Sequence, residues 1–108
     1  MLAAPRSIRG QDSVTVSTSE SGSDAILKER LAGGSIKIPT GSSITSLTFY
    51  GAFQGTDTFF KILDADGAVL QRTVAAERII PLPTECYGIP ILKLVGDSSG
   101  EVDVFLLS

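Results

Sequence analysis

Phe59-Phe60-Lys61-Ile62-Leu63-Asp64-Ala65-Asp66-Gly67-Ala68-Val69-Leu70-Gln71-Arg72-Thr73-Val74 decides the fold class. Asp64-Ala65-Asp66-Gly67 sits between two apolar runs. Asp and Gly tolerate the positive φ angles of a tight turn, while Phe, Ile, Val and Thr suit a pleated strand. The stretch predicts a β-hairpin with arms over residues 59–63 and 68–74. Asp64-x-Asp66-Gly67 also has the opening spacing of a calcium loop. Ala68 then stands where a third oxygen ligand belongs, and Ala75 where a bidentate Glu belongs, so the hairpin turn is the stronger reading.

The same pattern continues outward. Ser35-Ile36-Lys37-Ile38-Pro39 alternates before a Pro-Thr-Gly turn. Over residues 44–53, Leu47, Phe49 and Phe53 share one parity, and Ser46, Thr48 and Tyr50 the other. Gln54-Gly55-Thr56-Asp57 reads as a turn. Ile79-Ile80-Pro81-Leu82-Pro83 is apolar, but its prolines cannot donate to a ladder, so it belongs at a sheet edge or outside. Pro90-Ile91-Leu92-Lys93-Leu94-Val95 predicts a strand, and Gly96-Asp97-Ser98-Ser99-Gly100 a turn. Residues 101–107 predict a last strand with Val102, Val104 and Leu106 inward and Glu101 and Asp103 outward. Phe105 and Leu107 fall on the opposite face from the valines, which predicts burial there too, within the domain or under another subunit. Lys61 and Lys93 are expected to extend outward.

Residues 24–33 read two ways. Ser23 would cap a short helix ended by Gly33-Gly34, with Ile26, Leu27 and Leu31 near one face. A helix of about eight residues is marginal alone, and a strand with Ala25 and Leu27 on one face fits equally. Residues 1–23 are rich in Ser, Thr and Gly, with Val14-Thr15-Val16 as one possible short strand. They read as an arm that gains order by docking on its own domain, a neighbouring subunit or another protein. About six to eight short strands with turns every eight to twelve residues indicate an all-β chain. The expected architecture is an antiparallel, jelly-roll-like β-sandwich over residues 24–108 with an extended N-terminal arm over 1–23.

Composition narrows the chemistry. The 108 residues fit one domain. The net charge is −3 and no basic stripe occurs, so nucleic acid is not an expected partner. No apolar run approaches the ~18 residues of a membrane span. The first residues lack the apolar centre of a signal peptide, which predicts synthesis in the cytoplasm. The absence of His removes Ser-His-Asp and Cys-His catalysis, and the one Cys removes thiolate zinc sites and any intrachain disulfide. Asp57, Glu77, Glu85 and Asp97 show no pattern of paired acid/base groups. No catalytic, cofactor-binding or metal-binding residue is therefore assigned, and the chain is not expected to be an enzyme.

Carbohydrate binding is a further option for a small sandwich. It usually needs exposed Trp or Tyr and carboxamide side chains. This chain has no Trp, two Tyr, no Asn, and only Gln11, Gln54 and Gln71.

Several segments in order carry a resemblance: Ile44-Thr45-Ser46-Leu47-Thr48-Phe49-Tyr50, Thr58-Phe59-Phe60, Leu63-Asp64-Ala65-Asp66-Gly67, Thr73-Val74-Ala75-Ala76-Glu77-Arg78, Ile80-Pro81-Leu82-Pro83 and Leu92-Lys93-Leu94-Val95-Gly96. Together they resemble small virion-associated structural proteins of tailed bacteriophages, over residues 24–108. Residues 1–23 and Glu85-Cys86-Tyr87 lie outside the resemblance. It implies a β-rich structural protein without cofactor, made in the host cytoplasm and located in the virion. Capsid decoration or cement, bridging and stabilising capsomers, is the implied role. The alternative is a receptor- or glycan-binding module of a tail or spike. The implied partners are copies of the chain itself, as a homotrimer, and the major capsid protein. Tyr50, Ile79, Ile80, Phe105 and Leu107 are the candidate interface residues of the domain. Arg6 and Arg9 are candidates for an acidic partner surface, against the plainer reading of a solvated tail.

Overall fold

The structure, a computed structural model, describes residues 6–7, 10–27, 33–53, 58–87 and 89–107. For residues 6–7, 10–12, 27 and 106–107 it describes the backbone alone. Among the described residues ten strands form two sheets packed as a β-sandwich. They are β1 (Arg6–Ser7), β2 (Gly10–Val16), β3 (Ala25–Leu27), β4 (Gly33–Lys37), β5 (Ser46–Ala52), β6 (Phe60–Lys61), β7 (Gln71–Thr73), β8 (Ile79–Pro81), β9 (Ile91–Gly96) and β10 (Gly100–Leu107). Sheet A has the order β1-β3-β9-β5-β6, with β7 also on β5; sheet B has the order β2-β10-β4-β8. Strand pairing is antiparallel except between β1 and β3.

The alternation seen in the sequence sets the core. Val14, Val16, Ile36, Val102 and Val104 turn inward from sheet B, and Ile26, Leu47, Phe49, Leu92 and Leu94 from sheet A. Ile38, Ile44, Leu70 and Leu82 fill in from the connections. Each large side chain sealed this way contributes about 1.5–3 kcal/mol over its exposed state.

The segment 24–33 resolves as a strand where it is described. Ala25, Ile26 and Leu27 pair with Lys93, Leu92 and Ile91, so the sheet supplies hydrogen bonds that a single short helix would have to find alone. Residues 28–32 lie outside the described residues. Of the possible docking partners for the arm, its own domain takes residues 10–23. Strand β2 pairs with β10 from Gly10↔Leu106 to Val16↔Gly100. Across residue 23, Asp24 N donates to Thr15 O at 3.0 Å, and Thr15 N to Asp24 Oδ2 at 2.8 Å.

Two expectations need correction, one in the decisive stretch and one just past β5. The turn is where it was read, with Gly67 at φ 84° and Asp64 Oδ1 accepting from Asp66 N and Ala68 N at 2.9 and 3.0 Å. The hairpin, however, is short. Leu63 bridges Val69, and Leu70 N donates to Ile62 O. Beyond these residues both arms leave each other and line up along one edge of β5. Lys61 pairs with Tyr50, and Thr73 with Ser46. The hairpin is thus an excursion from an interrupted edge strand, because β5 offers more backbone partners than the arms offer each other. Second, Phe53 shares the parity of Phe49 but is 69% exposed, since β5 stops at Ala52.

Strand β8, with Pro81, lies at the edge of sheet B as the prolines required. Among the described residues no helix is long and apolar enough to cross a membrane.

Candidate interaction surfaces

The expected interface residues divide between the two sheets. Ile79 and Phe105 come together on the outer face of sheet B. Strand β4 lies between their strands and places Lys37 beside Ile79, and Ser35 beside Phe105. Ile79 is 66% exposed and Phe105 41%. With Ser35, Lys37 and Asp103 they line a notch of about 150 Å³. Leu107 lies two residues further along β10, its backbone in register with Gly33. Ile80 is different: it is opposite Ile36 in the ladder and packs against the core. Tyr50 is on the outer face of sheet A, half-buried, in register with Lys61 on one side and Lys93 on the other. Arg6 belongs to β1 by its backbone, and Arg9 falls outside the described residues.

A second surface was not anticipated. Where β5 ends, Gly51, Ala52, Phe53, Phe60, Ile62, Leu63 and Ile89 border an open apolar groove of about 550 Å³. Gly51 is essential to its floor. A Cβ there would lie 2.5 Å from Ile89 Cγ2 and 3.2 Å from Ile62 Cδ1. Phe60 pairs with Gly51 on the core side of the sheet, yet is 70% exposed. The sequence signal was the Phe59-Phe60 pair. On a strand two such neighbours must face opposite ways, so one of them leaves the core.

Lys93 corrects another expectation. It does not extend outward: it is 2% exposed, on the face of β9 away from the core. The loop between β2 and β3 covers it. Its Nζ donates to Glu20 O at 2.9 Å, lies 3.5 Å from Glu20 Oε2, and sits 4.5 Å from the centre of the Phe59 ring. A buried ammonium needs such partners, because desolvating an unpaired charge is costly. Phe59 and Phe60 therefore have separate duties, one over the ammonium and one in the groove. Lys61 is exposed as expected.

The remaining polar groups brace turns. Asp97 caps the turn between β9 and β10: Oδ1 accepts from Thr45 N at 2.9 Å and Ser46 N at 3.2 Å, and Oδ2 accepts from the Thr45 hydroxyl. The Thr45 hydroxyl, then the Thr45 N–H, hold its carboxyl below the usual carboxylate range. Glu77, at φ 63°, accepts from the Thr40 hydroxyl at 3.2 Å, and Glu85 lies 3.9 Å from Arg72. Asp57 is outside the described residues. Among the described residues no three carboxylate, His or Cys groups converge on one point. Cys86 is buried within the core and forms no disulfide. The chain matches no family model, no curated protein and no solved structure.

Proposed function

We propose that the chain is a non-enzymatic structural protein of a tailed-phage virion, acting as a capsid decoration or cement protein. The observation that carries this reading is the presence of two separate exposed apolar surfaces on one sandwich. One is the Phe105–Ile79 face of sheet B, the other the Phe53–Phe60–Leu63 groove at the end of sheet A. A bridging protein needs contacts on more than one side, and a pair of packed sheets holds them at a fixed separation. Exposed aromatic and aliphatic clusters of this kind are typical of surfaces that other proteins cover. The partners are copies of the chain, as a homotrimer at three-fold positions, and the major capsid protein. Repeated weak contacts on a symmetric shell reinforce one another through effective concentration. The resemblance of residues 24–108 to virion-associated proteins supplies the biological setting. Synthesis takes place in the host cytoplasm and the protein ends in the particle.

The test is direct. Particles purified from lysates of the phage that encodes the chain are probed with an antibody against it, and labelled particles are imaged. Many copies on the capsid shell are expected. Complete absence from purified particles overturns the reading, and labelling confined to the tail tip moves it to a tail or spike module.

A further inference from the structure

The outer face of sheet B carries its charges and its bulk in an order that fits its own half-turn. Across β8, β4, β10 and β2 one row of outward residues reads Ile79, Lys37, Asp103, Ser13. In the next row Ser35 of β4 stands opposite Phe105 of β10. Lys37 is exposed and Asp103 half-exposed, and no ion pair among the described residues engages either. Beside the Phe105 ring is the notch, walled by Ile79 and floored by the small Ser35.

We infer that this face packs against the same face of a second copy, about a two-fold axis running along the strands between β4 and β10. A half-turn about that axis exchanges the two strands. Lys37 of each copy then faces Asp103 of the other, so opposite charges meet twice. Phe105 of each copy faces Ser35 of the other, and the ring enters the notch. Bulk meets space and cation meets anion, as a self-complementary two-fold interface requires. Sheet faces pack about 10 Å apart, a spacing that accommodates one interdigitated layer of side chains. The contact follows from the sheet face alone and goes beyond the virion reading. On a shell it would join neighbouring three-fold assemblies into one net.

Sedimentation velocity over a concentration series tests the pairing, with the unmodified chain, Phe105→Asp, Lys37→Asp, Asp103→Lys and the double reversal Lys37→Asp/Asp103→Lys. Thermal unfolding of each is recorded in parallel. The unmodified chain is expected to double its assembly mass as concentration rises. Phe105→Asp is expected to weaken that step about thirtyfold or more, the effect of losing a central aromatic anchor. Each single reversal weakens it, and the double reversal recovers most of the loss. No doubling at any concentration overturns the proposal. So does doubling that Phe105→Asp leaves intact, or a double reversal no better than the singles. Association with capsid protein alone, without self-pairing, also overturns it. Should Phe105→Asp fail to fold, the charge-reversal set decides by itself.

Discussion

Strand β5 runs through a sealed interior, and the chain comes into the open one residue beyond its end. Leu47 and Phe49 are buried between the sheets, whereas Phe53, four residues beyond Phe49 and of the same parity, stands largely in solvent. The residue type is the same and the strand direction is the same. The partners differ. At Phe49, Leu94 is the neighbour across the ladder and sheet B closes over it. At the far end Gly51 contributes no side chain, and Ile62 and Ile89 close in on its empty position. The comparison teaches that aromatic content on this chain has two uses. One is sealed in the core and stabilises the fold, the other stands exposed at the surface.

The sharpest way to break that distinction is Phe49→Ala. Loss of a fully buried aromatic costs about 3–5 kcal/mol, read as a lowered midpoint in urea unfolding. If the core and the groove were equivalent, the same change at Phe60 would cost as much. Lys93→Ala comes next. It removes the ammonium from Glu20 O and from the Phe59 ring, leaving the carbonyl without that donor, and is expected to cost about 2 kcal/mol. Lys93→Met, which keeps the packing, should lose less, and the difference between the two isolates the part due to volume.

Gly51→Ala sharpens the comparison from the groove side. The added methyl must displace Ile89, for a cost of about 1–3 kcal/mol. Pairing it with Ile89→Ala relieves the clash, so the double variant is expected to be more stable than the sum of the two single losses predicts. Additive losses would mean that the floor of the groove is not packed as described.

The smallest stability effect expected from a turn is at Asp97. Its carboxyl is held below the ordinary value in the folded state, so its contribution is fully present above the unfolded pKa and is lost as pH falls through the folded one. Asp97→Asn is therefore expected to lower the melting temperature at pH 6. The gap to the unmodified chain should close as pH drops below the usual carboxylate range. A gap that stays constant from pH 6 to pH 2 would contradict the role assigned to the charge.

The same physical contrast explains what was legible in the sequence. Period-two patterns put Leu47 and Phe49 of β5 on one face and named Val102 and Val104 of β10 as inward, and all four are buried, because alternation directly reports which face is sealed. Tight-turn chemistry located Asp64 to Gly67, since positive φ and side-chain capping are local requirements. The surroundings of Lys93 were not legible. Its burial comes from a loop whose Glu20 lies 73 residues away in the chain, and neither neighbour on β9 announces that cover. The groove was missed for a related reason. Parity assigns Phe53 and Phe60 to the core side, but only the length of β5 and the absence of a side chain at Gly51 reveal that the interior ends before them. The outer face of sheet B was half legible. Phe105 stood out as apolar on the wrong parity, while its meeting with Ile79 depends on β4 running between their strands.

The most direct test of the account is the urea unfolding free energy of a double variant, Phe60→Ser with Phe105→Ser, beside that of the unmodified chain under dilute conditions. Both rings are exposed in the single chain. The account predicts a loss within about 0.5 kcal/mol per site, as for ordinary surface positions. A loss of several kcal/mol, comparable to Phe49→Ala, would mean that these rings hold the fold together, and would contradict their assignment as surfaces for partners.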